Sequence, residues 1–308
     1  MTSPQFTGIL AAVVTPLTAD GTAVDEQGIA RQVEHILGGG IHGLVPGGST
    51  GEFTTLTADE RKRSAEVYLE AVAGRAPVVV GTGALSTTET IELSEHAAKA
   101  GATAVMVVPP FYDTLTFEEL LTHFGAVVAA VDVPVMYYNL PSATGVELTA
   151  EQFGELARRT GVSSYKDTGG DFPVFTSVQL DHSDVIAALN GWDTLTFAAL
   201  AGGAKAGVWG TASVIPHQCA ALYDALAVRG DLQAGRELWS TIFPICRFLE
   251  SHNYAAAIKT GLELVGAPAG PPRRPVLPLA PEYREELRGL LAAAGAPVES
   301  GLAGSAAR

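Results

Sequence analysis

Cysteine is almost missing from this sequence. Cys219 and Cys246 are the only two in 308 residues, with no CxxC and no metal-type spacing. A disulfide framework is therefore not expected, and two core thiols in a reducing cytoplasm are the natural reading. The seven histidines are scattered, without an HxH or HExxH pair, so no metal site is expected. Positive charge is also scarce. Lys and Arg total 19 against 33 Asp and Glu, a formal charge of -14. Nucleic acid and anionic membranes need a basic face, so neither is expected as a partner. A small anionic substrate is not excluded, because it responds to the local field of its site. Long apolar runs are absent as well. The run Ala104–Val108 stops at prolines and is far too short to span a bilayer. The opening MTSPQFTG has no basic stretch followed by an apolar one, so no signal peptide is expected and a cytoplasmic location follows. The GK[ST] motif is missing too, which disfavours ATP and GTP.

What is present is one pattern repeated from end to end. A short apolar run, rich in β-branched residues, is followed by a turn and then by helical periodicity. The runs are Gly8–Pro16, Gly43–Pro46, Pro77–Gly81, Ala104–Pro109, Val133–Asn139, Gly161–Lys166, Asp184–Asn190 and Ala206–Gly210. Their near-continuous apolar character suits parallel strands buried on both faces. Between them, Asp25–Leu37 ends at three glycines, Thr57 and Glu60 form a capping box, and segments beginning at Thr87, Thr116 and Thr149 follow the same form. Eight strand–helix units predict an α/β fold, a closed (β/α)8 TIM barrel, rather than an open sheet with polar edges. The expected organisation is a barrel over residues 1–230, then extra C-terminal helices over 231–295. These helices are Leu232–Ser251, Tyr254–Val265 and Pro281–Ala294. A small, polar tail over 296–308 is expected to be disordered.

In such a barrel the chemistry sits at the C-terminal ends of the strands. Strand 6 ends Tyr165-Lys166-Asp167. Burial disfavours an ammonium and favours the free amine, which is a nucleophile toward carbonyls. The plainer alternative is a lysine that reaches the rim or pairs with Asp167. Strand 5 ends Tyr137-Tyr138-Asn139. Neighbouring residues of a strand face opposite sides, so one tyrosine faces the lumen and the other the helix layer. A lumen tyrosine can pass a proton or simply fill the barrel. Strand 2 ends Gly47-Gly48-Ser49-Thr50-Gly51-Glu52. Here Gly48 and Gly51 let N–H groups converge into a nest for an anion, a carboxylate rather than a nucleotide phosphate, and Ser49 and Thr50 add hydroxyls. The alternative is a plain glycine-rich turn. Amine, phenol and anion nest on one rim form a kit for a 2-keto acid.

With these motifs the chain resembles the dihydrodipicolinate synthase / N-acetylneuraminate lyase family of class I pyruvate-type aldolases, over about residues 6 to 295. The resemblance rests on Gly48-Ser49-Thr50-Gly51-Glu52, Gly81-Thr82-Gly83, Pro109-Pro110-Phe111-Tyr112, Tyr138-Asn139-Leu140-Pro141 and Tyr165-Lys166-Asp167, in that order. It implies Lys166 as the Schiff-base lysine, so that no cofactor beyond the lysine imine is needed, and Tyr138 as the general acid/base. Ser49 and Thr50 would bind the pyruvyl carboxylate, with Ser49 relaying a proton. Tyr112 is similar to a tyrosine that reaches a neighbouring subunit's site, which implies a homo-oligomer, a dimer or tetramer. The lysine-pathway synthase carries an arginine in the strand-5 loop that holds its aldehyde substrate's carboxylate. Here the loop reads Pro141-Ser142-Ala143-Thr144-Gly145, and Ala143 has no donor. That departure, with Thr168 after Lys166-Asp167, is more similar to aldolases of 2-keto-3-deoxy sugar acids, which become the expected activity. Dihydrodipicolinate synthesis and keto-deoxy sugar-acid dehydration are the alternatives, with a non-catalytic barrel behind them. Gly191 and Asp193 would then contact a polyol tail, unless Asp193 merely caps the next helix. Trp209 would close the pocket wall or fill the barrel.

Overall fold

A computed structural model describes residues 6–298. Eight parallel strands are present: β1 (Gly8–Ala12), β2 (Gly43–Val45), β3 (Val79–Gly81), β4 (Ala104–Val107), β5 (Val135–Asn139), β6 (Ser164–Asp167), β7 (Ala187–Asn190) and β8 (Ala206–Trp209). Their order is β2-β1-β8-β7-β6-β5-β4-β3. A single parallel bridge, Leu44 to Val78, and a 3.0 Å bond from Leu44 N to Pro77 O bring β2 back to β3. The ring is a (β/α)8 barrel, as the eight repeats predict.

The helices are α1 (Glu26–Gly38), α2 (Ala58–Val72), α3 (Thr87–Lys99), α4 (Phe117–Ala130), α5 (Pro141–Thr144), α6 (Ala150–Thr160), α7 (Phe172–Asp181), α8 (Thr196–Ala201), α9 (Thr211–Val214), α10 (Pro216–Tyr223), α11 (Leu232–Glu250), α12 (Tyr254–Leu264) and α13 (Pro281–Ala293). Capping chemistry sets several of their starts. Thr57/Glu60, Thr116/Glu119 and Thr149/Gln152 each exchange side-chain and backbone hydrogen bonds, satisfying N–H groups that a helix start leaves open. The cap of α3 is Ser86 rather than Thr87, because the Ser86 hydroxyl reaches the Glu89 N–H at 3.2 Å.

Strand alternation sorts the buried side chains into two sets. Leu10, Val45, Val79, Met106, Met136, Tyr138, Leu189 and Val208 fill the barrel interior. Val105, Val135, Tyr137, Tyr165 and Trp209 belong to the larger cluster between strands and helices. That cluster takes in Ile242, Ile245 and Leu249 of α11, Ile258 and Leu262 of α12, and Leu287 and Leu291 of α13. Both cysteines are free thiols within it. Ala296 and Val298, expected in a disordered tail, pack against the same cluster, since each finds an apolar surface to cover. The rest of the expected tail, 299–308, lies outside the described residues. No helix among the described residues is long and apolar enough to cross a membrane.

Candidate active site

The interior face of β5 and β6 carries the two groups singled out above. Tyr138 pairs with Lys166 in the ladder between these strands. Period-two alternation therefore puts both side chains on the same face, while Tyr137 and Tyr165 turn outward to stack around Phe153. Lys166 is 5% exposed, and its Nζ lies 3.9 Å from the centroid of the Tyr138 ring. Asp167 is not its partner. The Asp167 Oδ1 accepts from Asn139 Nδ2 at 2.7 Å and Gly169 N at 3.0 Å, on the opposite face of the strand. No carboxylate stands within 4 Å of the Lys166 amine among the described residues.

Burial pushes the Tyr138 phenol up. The charge of Lys166, and hydrogen bonding with Ser49, Lys166 and Thr168, outweigh that, and the phenol lies below the ordinary tyrosine value. Ser49, Thr168, Tyr138 and Lys166 thus converge, though they come from the ends of β2, β5 and β6. Gly191, after β7, is the floor of this cluster. A Cβ there would lie 2.6 Å from Lys166 Cε and 2.8 Å from Thr168 Oγ1, so glycine makes room for the lysine. Its near neighbours are the Lys166 and Thr168 side chains.

The turn after β2 is a single 3-10 turn, Ser49–Gly51, with Gly48 before it. Thr50 is buried, and Gly48 and Ser49 face more open space. The expected role of Gly51 as an anion donor is corrected. Its N–H bonds Gly48 O at 2.9 Å, and its carbonyl accepts from the Thr15 hydroxyl at 2.7 Å, so its polar groups hold the turn together.

Two further expectations are corrected. Trp209 neither walls the pocket nor fills the barrel. Ala206 and Val208 take the inward positions of β8, so alternation turns the indole outward, 6.4 Å from the Trp239 ring of α11. Asp193 does not cap a helix: Trp192 stands at the cap of the turn that Asp193 opens, without a side-chain cap bond. Nor does Asp193 present a free carboxylate. It is buried, and its Oδ2 accepts from Thr211 N, Thr211 Oγ1 and Tyr254 OH at 3.0, 2.5 and 2.5 Å. Burial raises this carboxyl against the pull of those bonds. Tyr112 lies on the β4–α4 loop, 87% exposed.

Sequence reasoning missed Lys259. It projects from α12 and is buried, its Nζ 2.6 Å from Glu52 Oε2 and 2.8 Å from Pro271 O. Burial lowers this ammonium and Glu52 opposes the shift. The usable signal was a single charge within Ala255–Leu262, where it must find a partner if buried. Glu52 also accepts from Arg273 N at 2.8 Å, while the Arg273 guanidinium forks onto Glu60 at 2.7 and 2.8 Å.

Residues 5–294 match the profile of the Dihydrodipicolinate synthetase family. Among curated relatives, the 4-hydroxy-tetrahydrodipicolinate synthase of Methanopyrus kandleri is 35% identical over 298 residues, 96% of this chain and 99% of that one. The enzyme of the same name from Thermomicrobium roseum is 37% identical over 285 residues, 92% of this chain and 93% of that one. Among solved structures, the dihydrodipicolinate synthase of Acinetobacter baumannii in complex with pyruvate superposes with a TM-score of 0.90. It is 31% identical, and the match covers 95% of this chain and 100% of that one. A prophage protein of the dihydrodipicolinic acid synthase family from E. coli K12, also in complex with pyruvate, gives 0.89 at 31% identity, over 94% of this chain and 99% of that one. Site geometry, fold and sequence agree, and the chain belongs to the dihydrodipicolinate synthetase family.

Proposed function

We propose that Lys166 is the nucleophile of a Schiff-base lyase that joins pyruvate to an aldehyde, or releases it. The observation that supports this above all is the buried Lys166 amine, unpaired with any carboxylate, against the Tyr138 ring. In this reading the amine adds to the C2 carbonyl of the keto acid and water leaves, giving a protonated imine. For cleavage, Tyr138 takes the proton of the C4 hydroxyl, the C3–C4 bond breaks, and its electron pair flows into the imine to leave an enamine. For condensation the steps run in reverse. A phenol held below its ordinary value suits that exchange. Ser49, beside Tyr138, would relay the proton. Gly48, Ser49 and Thr50 would hold the pyruvyl carboxylate, and Thr168 would line the aldehyde side. The only covalent group needed is the imine itself. Pyruvate with borohydride should add one reduced pyruvyl group to Lys166, and an unchanged intact mass would sink the proposal.

The relatives' names favour 4-hydroxy-tetrahydrodipicolinate synthesis as the reaction, ahead of the sugar-acid cleavage that the strand-5 loop suggested. One observation favours the second reading: exposed Ala143 on α5 offers no donor to a second carboxylate. A coupled assay with pyruvate and aspartate semialdehyde, beside pyruvate release from 2-keto-3-deoxy acids, decides between them. A homo-oligomer, a dimer or tetramer, completes the proposal. Tyr112 and Leu85, 87% and 55% exposed, line one surface depression and are large apolar surfaces to leave uncovered. Sedimentation showing a monomer at micromolar concentration would remove this part. Two free buried thiols suit a cytoplasmic location.

A further inference from the structure

We propose that Lys259 and Glu52 form a buried clamp through which α12 positions the Ser49–Gly51 turn for binding the keto-acid carboxylate. This rests on the proposed role of that turn. Glu52 follows the turn directly and takes a left-handed conformation, φ 57° and ψ 31°, which side chains other than glycine rarely adopt. Ala73 is the other such non-glycine residue among those described, and it ends a helix. Glu52 ends only the single 3-10 turn Ser49–Gly51, and its side chain is held as well. Its side chain is anchored at both oxygens, Oε2 by Lys259 at 2.6 Å and Oε1 by Arg273 N at 2.8 Å. Its own N–H closes the turn onto Ser49 O at 3.0 Å, and its carbonyl starts the next turn by accepting from Thr55 N at 2.9 Å.

A rotation at Glu52 would therefore move Ser49, Thr50 and Gly51 together. Five residues before Lys259 on the same helix, Tyr254 bonds Asp193 after β7 at 2.5 Å. One C-terminal helix thus grips loops at the ends of β2 and β7 with buried polar groups, from outside the strand–helix repeat. Lys259 touches no reacting atom and is a positioning residue.

The test separates positioning from folding by reading pyruvate capture on Lys166 with borohydride, as a function of pyruvate concentration. Lys259→Met and Glu52→Gln should raise the half-saturating pyruvate concentration about tenfold or more, because each breaks the buried ion pair that holds the turn. The trapping rate at saturating pyruvate should change little. Glu52→Gly, which accepts the left-handed backbone without strain but lacks the carboxylate, should show the same weakened capture. Unchanged half-saturation in the folded fraction of these variants overturns the proposal. So does failure of all three to fold, which would make the pair a folding element only. Absence of any adduct on the wild-type chain would instead overturn the assignment of Lys166, and so identifies which idea has failed.

Discussion

Two lysines are buried among the described residues, and they are buried in opposite ways. Lys259 has a carboxylate at 2.6 Å and a carbonyl at 2.8 Å, so its charge is matched. Lys166 has an aromatic face at 3.9 Å and hydroxyl groups around it. A buried ammonium is costly unless paired. The protein meets that cost for Lys259 with Glu52, and leaves Lys166 free of carboxylates in the barrel lumen. The first arrangement suits the proposed hold on a loop, and the second suits an amine proposed to meet a carbonyl. Burial alone therefore does not distinguish a structural lysine from a reactive one, and the partner does.

The contrast predicts different losses. Lys166→Ala should abolish the borohydride adduct and lower turnover by at least about 10³-fold. Chemical denaturation should show stability equal to or above the wild type, since no ion pair is broken. A destabilised Lys166→Ala protein would break the comparison. Lys259→Ala leaves the Glu52 carboxylate buried and unpaired. It should cost about 3–5 kcal/mol in the same denaturation experiment, and the double variant Lys259→Ala/Glu52→Ala should recover part of that.

Gly191→Ala sharpens the reactive half of the comparison. Its new methyl would meet Lys166 Cε at 2.6 Å, so the lysine must move. Overpacking of this kind costs about 1–3 kcal/mol of stability. Turnover should fall more than stability does, and equal activity would mean that the amine's position is not critical.

His123 provides a third way of burying a base. Among the described residues it has no carboxylate partner; its Nδ1 meets the Thr87 hydroxyl at 2.9 Å and its Nε2 is buried with no partner among them. Burial lowers it from 6.5 to about 4, so it resolves the conflict by staying neutral. Between these values the unfolded chain binds the proton and the folded one does not. Stability from this group is present above pH 6.5, falls as pH drops toward 4, and is then level. The loss is up to about 3 kcal/mol. Denaturation at pH 7 and pH 5 should show a smaller difference for His123→Asn than for the wild type.

Much of this was legible in the sequence. Eight apolar runs alternating with helical periods are sufficient for the barrel, and a lysine ending a buried run stands out at once. That Lys166 stands at a strand end, and that one of Tyr137 and Tyr138 faces the lumen, follows from local rules, while the choice of Tyr138 came from the family resemblance. Trp209 was misjudged because a period of two gives alternation without its phase. Only the inward packing of Ala206 and Val208 settles which way the indole faces. Asp193 was misjudged because its carboxylate turns to Thr211 and Tyr254, neither of them a close neighbour in sequence.

The scarcity of cysteine and of positive charge, the repeated strand–helix pattern and the reactive groups at strand ends follow from residue types and short-range spacing alone. Which side chain meets which charge was decided only by the tertiary structure. Glu52 stands after the second strand and Lys259 on a helix beyond the eighth, and no local rule couples them. Their pairing comes from α12 packing against the barrel, where a desolvated ammonium and a desolvated carboxylate are stable only in each other's company.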